Sequence, residues 1–475
     1  MGAIGNFTKN VISLLKSLGR KKETIDTELQ NMYSNIELWK IIYANSPKWA
    51  TYQTNTLNGL KTVERKLTST AKVISAELAS LIWSEQPQIT VSEETKAILV
   101  ANNFYEEMQK RIEYFNALGG MAVKGYFDGE IKLDFVTAER FVPLSYTESV
   151  ITDGQFIDYR TYKSKKYVRL ESYFKTETGY TITNELFDSD NKKVPLSTIP
   201  ELADIEELTD VTTDKKLFSY VKYPIANNFD MNSPLGLSIF ANSVKSLEAL
   251  DIAYDLLSDE VELGRKRIIV PESAMQAIFD PVRETMDRYF DTNDRVYQAL
   301  HFDETESYKI TDNSVEIRAD ELITAIDAHL RMIELQTSLS AGTFSFDVKN
   351  GIKTATEVIS DNSKTFKTKQ AAQNQINTLI MDTLEIIHAL ADIYDVKAPE
   401  ALGGDTILWD DSVIEDRNSK ANYWMGLKNA GLSTTEAALK AIHGLNDEEA
   451  KKMAAQIKAD QQIFIDAGSS ADLDD

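Results

Sequence analysis

Apolar positions recur at steps of three and four through the first quarter of the chain. Ile36, Trp39, Ile42 and Tyr43 share a helical face, and Asn45-Ser46-Pro47 stops that helix because proline has no amide to continue the ladder. Val63, Leu67, Val73, Ile74, Leu78 and Leu81 repeat the pattern over 62–84, ending at Gln86-Pro87, and a third helix is predicted over 93–118, closed by Gly119-Gly120. Phe7, Val11, Leu14, Leu15 and Leu18 have the spacing of an amphipathic docking helix at 7–18.

From 121 to about 187 the period drops to two. Ile131, Leu133 and Phe135 alternate with Lys132 and Asp134. Phe156-Ile157-Asp158-Tyr159, Tyr167-Val168-Arg169-Leu170 and Tyr180-Thr181-Ile182 read as strands, with Asp128-Gly129, Asp153-Gly154 and Thr178-Gly179 as turns. These strands predict an antiparallel meander. Residues 188–215 read as a solvated acidic loop.

Two long uninterrupted helices follow, about 236–266 and 319–340, flanking some 50 charged residues with one predicted helix at 275–290. The first would be about 45 Å long. Val244, Leu247, Leu250, Tyr254, Leu257 and Val261 form its apolar stripe. Glu248, Asp251, Asp255, Asp259 and Glu262 form a second stripe, within an arc of about 80°. Like charges at this spacing repel by a few tenths of a kcal/mol each. The uninterrupted stripe is therefore a candidate surface facing a polyanion that must not stick; its alternative is an ordinary solvated face. On the second helix Asp320, Asp327 and Glu334 recur every seven residues.

A glycine-punctuated loop, 340–353, precedes a helix predicted from Thr354 or Thr356 to about 395, polar in its first half and apolar in its second. Lys349, Lys353, Lys364, Lys367 and Lys369 make a basic island, with Lys349 and Lys353 candidates for brief phosphate contact. Asp405–Trp409 reads as a lone strand. Ser433-x-x-Glu436 and Asn446-x-x-Glu449 look like helix starts in a helical C-terminal cap with an acidic tail.

Composition narrows the chemistry. The 475 residues carry 51 Lys+Arg against 74 Asp+Glu, a formal charge of −23, which argues against a general nucleic-acid coat. There are no cysteines, so disulfides, thiolate metal sites and a cysteine nucleophile are excluded. No phosphate-binding, dinucleotide, zinc-protease or serine-hydrolase motif is present. The four histidines are scattered, and His388 reads as a packed residue. Asp303, Glu304, Glu306 and Asp410-Asp411 lack the spacing of a calcium loop, as does Asp188-x-Asp190-x-Lys192. Neither a membrane span nor a targeting segment is predicted, and no metal or cofactor.

The run Tyr223–Asn228 with Ser233-Pro234-Leu235-Gly236, the long helix through Arg267, Leu339–Phe346 followed by Lys353-Thr354-Ala355-Thr356-Glu357, and Trp39-x-x-Ile42-Tyr43 give the chain its family likeness. In order and composition it resembles the portal proteins of siphovirus-type tailed phages. The resemblance implies an α+β, mainly helical fold with wing, stem, clip and crown, and an antiparallel sheet in the wing. Wing would be 1–235, stem helices 236–267 and 319–341, clip 268–318, tunnel loop 342–353, a helix and strand returning to the wing 354–411, and crown and acidic tail 412–475. It also implies a non-enzymatic homo-oligomeric ring, a dodecamer, at the capsid vertex of the virion, assembled in the host cytoplasm. Its partners would be double-stranded DNA in the channel, major capsid and scaffold proteins, the terminase large subunit and head-tail connector proteins. On that reading both acidic stripes line the DNA channel and Lys349 and Lys353 touch DNA from the tunnel loop. Two other classes stay open: another capsid or scaffold protein with helical arms, and a metal-dependent nuclease assembled from distant carboxylates.

Overall fold

A computed structural model of the chain describes residues 27–56, 59–148, 150–263, 268–269, 276–280, 285–289, 311–312, 317–345, 361–409, 417–443 and 450–458. Helix α1 (Thr27–Tyr43) buries Leu29, Met32, Ile36, Trp39 and Ile42 along one face. It ends as the periodicity predicts. Asn45 takes a left-handed φ of 56°, and the amides of Asn45 and Ser46 bond back to the carbonyls of Ile42 and Ile41, which satisfies the last turn before Pro47.

The helix expected over 62–84 is shorter. Strands β1 (Thr51–Thr56) and β2 (Gly59–Glu64) pair as an antiparallel hairpin, and α2 begins at Thr70 and runs to Trp83. Val63 is thus a strand residue opposite Tyr52. Strand β3 (Gln88–Thr90) follows. The single helix expected over 93–118 is two, α3 (Glu93–Ala101) and α4 (Phe104–Leu118). Asn102 causes the break: its side-chain amide donates to the carbonyls of Ile98 and Ile131, and its carbonyl accepts from Leu133 N. Those bonds tie the break to a strand edge, and Asn103 turns left-handed at φ 49°.

The period-two region forms antiparallel sheets. Strands β4 (Gly120–Phe127) and β5 (Ile131–Thr137) make a hairpin, and β6 (Phe141–Thr147), β7 (Val150–Tyr162), β8 (Lys165–Lys175), β9 (Gly179–Asp188) and β10 (Lys193–Val194) form a meander. Gly154 lies inside β7 opposite Tyr173, not at a turn. A Cβ there would come within 2.7 Å of the Phe141 ring and 2.8 Å of Phe218, so the glycine admits close aromatic packing. The acidic 188–215 stretch is likewise not simply a loop. Strand β11 (Leu208–Thr212) pairs with β9, while Leu196, Ile199 and Leu202 are buried beside Leu186. Strand β12 (Phe218–Lys222) pairs with β4, giving a second sheet ordered β12-β4-β5.

The run after β12 is held by close backbone approach. Gly119 has φ +82° and Gly236 lies against it: a Cβ on Gly236 would sit 2.1 Å from Gly119 O. Tyr223 N donates to Gly119 O, and Ile239 N to Asn116 O. Helix α5 (Val244–Leu263) starts from this anchor, eight residues later than the helix expected from 236, because 236–240 is held as irregular chain against Gly119 and Asn116 and 241–243 is a single 3-10 turn. Strands β13 (Ile268–Ile269), β14 (Gln276–Asp280), β15 (Thr285–Tyr289) and β16 (Thr311–Asp312) come next. β13 pairs with β16 and β14 with β15, so the helix expected at 275–290 is a hairpin. Pro281 between its strands is incompatible with an unbroken helix. Helix α6 is Ala319–Gln336 and α7 is Ser363–Ile393. The apolar second half of α7, including Ile376, Leu379, Ile380, Leu384 and Ile387, packs into the main core over β4 and β12. β17 (Thr406–Leu408) is not alone: it pairs with β3. Helices α8 (Arg417–Asn429) and α9 (Thr435–His443) pack together, and 450–458 is helical.

Candidate functional site

Helices α5 and α6 form an antiparallel pair. At one end Ser246 Oγ donates to Gln336 Oε1 at 2.9 Å; at the other Arg318 forks onto Glu260, with Nη2 2.9 Å from Oε2 and Nε 3.2 Å from Oε1. The hydrogen bonds from Arg318 hold the Glu260 carboxyl below the ordinary carboxylate range. Leu247, Leu250 and Ala253 on α5 and Ile326 and Ile333 on α6 are buried. Tyr254 and Val261, expected in the apolar stripe, are instead 39% and 55% exposed.

The acidic stripe of α5 divides. Asp251 and Asp255 are each 7% exposed, lying under the segment that carries the β1–β2 hairpin. Asp251 accepts from Trp49 Nε1 at 2.9 Å, Thr68 N at 2.9 Å and Thr68 Oγ1 at 2.7 Å. Asp255 accepts from Lys66 N at 3.0 Å, with Arg65 Nη1 at 3.8 Å. These carboxylates fasten the two ends of the hairpin to the helix, and the chain's own backbone covers them. They are not open anionic surface, which corrects the expectation of an uninterrupted stripe. Glu262 makes an exposed pair with Lys66, Glu248 pairs with Lys245, and Asp259 is half-buried.

Helix α6 shows the same division. Asp320 is exposed, and Asp327 pairs with Arg331 at 2.8 Å. Glu334 is 1% exposed and accepts from the amides of Gly342 (3.1 Å), Phe344 (2.6 Å) and Ser345 (2.9 Å), and from Ser345 Oγ (3.2 Å). It shapes the start of the glycine-punctuated loop and is excluded from an open surface. The left-handed Ser338 closes α6, with Leu339 N bonded to Glu334 O. Ser340 and Thr365 exchange reciprocal bonds, Ser340 N to Thr365 Oγ1 and Thr365 N to Ser340 Oγ, while Thr368 Oγ1 donates to Ser338 O. Residues 338–345 are thereby bound to the first turns of α7. No sequence signal distinguished Glu334 from Asp320 and Asp327; its role follows from the chain folding back over it.

Lys349, Lys353, the Asp303/Glu304/Glu306 cluster, Asp410-Asp411, the expected cap at Thr354 or Thr356, and the 7–18 segment lie outside the described residues. Lys369, from the same basic island, is buried. Asp188 serves its own turn, its Oδ1 accepting from the amides of Asp190 and Lys192. His388 is packed as expected, with Nδ1 2.8 Å from Ala398 O and Nε2 2.7 Å from Asp405 Oδ2. Among the described residues no group of three or more His, Asp or Glu is placed to hold a metal ion, and no helix is long and apolar enough to cross a membrane.

Away from the helix pair, a cavity of about 430 Å³ lies among α1, α4 and the sheets, lined in part by Lys40, Tyr43, Arg111, Lys124, Glu139 and Arg140. Its charges are largely internally paired: Lys40 with Glu139, Arg111 with Glu107, and buried Lys124 with Glu171.

The family model described as phage portal protein, SPP1 Gp6-like, matches residues 22–462. Solved structures similar to the chain include one from the virion of a native gene transfer agent particle, with 12% identity, TM-score 0.42, and coverage of 79% of this chain and 89% of that one. Another is from the neck of the native gene transfer agent particle computed with C12 symmetry, with 10% identity, TM-score 0.43, and coverage of 78% and 89%. Comparison with curated proteins gives no match.

Proposed function

The chain belongs to the SPP1 Gp6-like family of phage portal proteins, and we propose that it is the repeating subunit of a dodecameric ring at the capsid vertex through which double-stranded DNA is packaged and released. The observation that carries this reading is the antiparallel pair α5–α6 flanking an inserted module. β13–β16 pairing and the Arg318–Glu260 fork bring the two ends of that module together. This arrangement supports a stem (236–267 and 319–341) carrying a clip (268–318) toward the terminase and the head-tail connector proteins. Residues 1–235 form the wing, 342–353 the tunnel loop, 354–411 the return to the wing, and 412–475 the crown with its tail. The subunit has a structural role, in the virion, with no chemistry of its own; capsid and scaffold proteins are its partners at the shell.

With Asp251, Asp255 and Glu334 committed inside the subunit, and Glu248, Asp259 and Glu262 on the α5 side that carries the 49–68 segment, Asp320 and Asp327 on the opposite side of the pair remain as carboxylates for a DNA-facing wall. Repeated by cyclic symmetry, such groups give DNA no counterion-releasing clamp, so it slides without binding. Lys349 and Lys353 supply the brief phosphate contacts. Electron micrographs and native mass of the purified full chain test the ring: a centrally pierced particle of twelve 53.5 kDa chains is expected. A lone subunit, or an assembly without a through-hole, overturns the reading. For the wall, an Asp320→Lys/Asp327→Lys ring should retain duplex DNA at salt concentrations where the parent does not. Unchanged retention removes these residues from the channel.

A further inference from the structure

The α5–α6 pair carries an apolar patch on each of two opposite sides, and this assigns neighbours to both. Around α5, at about 100° per residue, Ser246 and Glu260 mark the side facing α6, while Asp251, Asp255 and Glu262 mark the side facing the 49–68 segment. These sides lie nearly opposite each other, leaving two sides between them. One bears Ala249, Ile252 and Leu256, the last 50% exposed. Because α6 runs antiparallel, its Ala328, Met332 and Leu335 lie on that same side of the pair. Ala328 is exposed, Met332 is 46% exposed and Leu335 63%. In each helix these residues follow a three-four step, the spacing of a coiled-coil seam. The opposite side bears Tyr254 and Val261 from α5 and Ile323, 45% exposed, from α6. Asp320, Thr324 and Arg331 point along a third direction, away from the 49–68 segment.

The pair is thus polar or covered along one axis and apolar across the other. We infer that the Leu256/Met332/Leu335 side of one subunit docks against the Tyr254/Val261/Ile323 side of a second copy of this chain, a head-to-tail contact that closes by rotation. Two observations favour a second copy over an unrelated partner. First, an unrelated partner covering one side leaves the other bare, whereas a repeating contact buries both. Second, with Leu256, Met332 and Leu335 at 50%, 46% and 63% exposed, the larger patch leaves on the order of 300 Å² of apolar surface, a size often functional but well short of the roughly 800 Å² per partner of a lone stable pair. In a closed cycle every subunit is held by two such contacts, so contacts too small for a lone pair can sustain an assembly. The inference rests on the ring reading above and specifies which surfaces make the ring.

The cysteine-free chain gives a direct test. Leu256→Cys and Ile323→Cys stand at matching heights on opposite sides of the pair, so a short bismaleimide joins them only between subunits. The double variant, in rings verified first by native mass, should yield a ladder of covalent multimers on denaturing gels, while each single variant stays monomeric. Rings without a ladder overturn this contact and leave the ring reading standing. A covalent dimer from the Leu256→Cys single variant means two-fold pairing and also overturns it. Absence of any particle above one chain, read before cross-linking, sinks both. In addition, Met332→Glu should weaken assembly at least tenfold with the circular dichroism and thermal unfolding of the subunit unchanged. Parental assembly of that variant refutes the assignment.

Discussion

Asp251 offers the sharpest test of how helix α5 is tied to the rest of the chain. Its carboxylate is 7% exposed and accepts three bonds, from the Trp49 indole, the Thr68 amide and the Thr68 hydroxyl, the last of which also accepts from Thr70 Oγ1. The partners lie about 200 residues away in sequence, at separations of 202 and 183, so these bonds hold tertiary structure and nothing local. Asp251→Ala leaves three donors beneath their cover. At about 1–1.5 kcal/mol for each lost partner, the contact should weaken by about 3–4 kcal/mol. Asp251→Asn keeps an acceptor and loses the charge, and should cost roughly half as much. Hydrogen exchange by mass spectrometry over 62–70 reads the effect where it occurs. With tenfold per 1.4 kcal/mol, amides of this segment should exchange about 140- to 700-fold faster in Asp251→Ala. Glu262→Ala is the control: it removes only the exposed pair with Lys66 and should shift exchange less than threefold. If Asp251→Ala moves exchange no more than this control does, the carboxylate is not the fastener and the argument fails.

Further outcomes follow from other contacts. Glu171 is buried against Lys124. Burial acts to raise its pKa, but the Lys124 and Arg169 charges, with hydrogen bonds from Lys124 and Tyr173, outweigh it and hold the carboxyl at about 2, against 4.5 unperturbed. A depressed folded pKa stabilises fully above the unfolded value and is lost as pH falls through the folded one, so roughly 3 kcal/mol should disappear between pH 4.5 and 2. Urea unfolding of parent and Glu171→Gln across that window should converge as pH falls; a constant difference contradicts the assignment. Gly236→Ala places a methyl 2.1 Å from Gly119 O and should lower the thermal midpoint markedly or prevent soluble expression, whereas Gly129→Ala, with open space around it, costs only its left-handed strain. Glu334→Ala frees the amides of Gly342, Phe344 and Ser345 and should make limited proteolysis after 339 at least tenfold faster while the cores of α5 and α6 stay protected; Asp320→Ala, exposed on the same helix, should leave cleavage unchanged.

Local rules carried much of this fold. The apolar spacing of Ile36, Trp39 and Ile42, the stop before Pro47, the left-handed Gly119, the alternation through β4–β9 and the two long helices α5 and α6 are visible in the chain because each depends on residues a few positions apart. The resemblance to phage portal proteins, likewise read from order and composition, agrees with the family match. Tertiary structure decided the rest. Five carboxylates on one face of α5 look equivalent in sequence, yet Asp251 and Asp255 are buried because Trp49, Lys66 and Thr68 arrive from elsewhere. Glu334 left its heptad partners when the chain turned back over it. Strand β17 found β3, and Asn102 broke a helix to serve a strand. Periodicity records which face of an element is apolar; which distant group comes to meet a charged side chain is set by the packing of the whole, and only that packing separates a fastener from a surface.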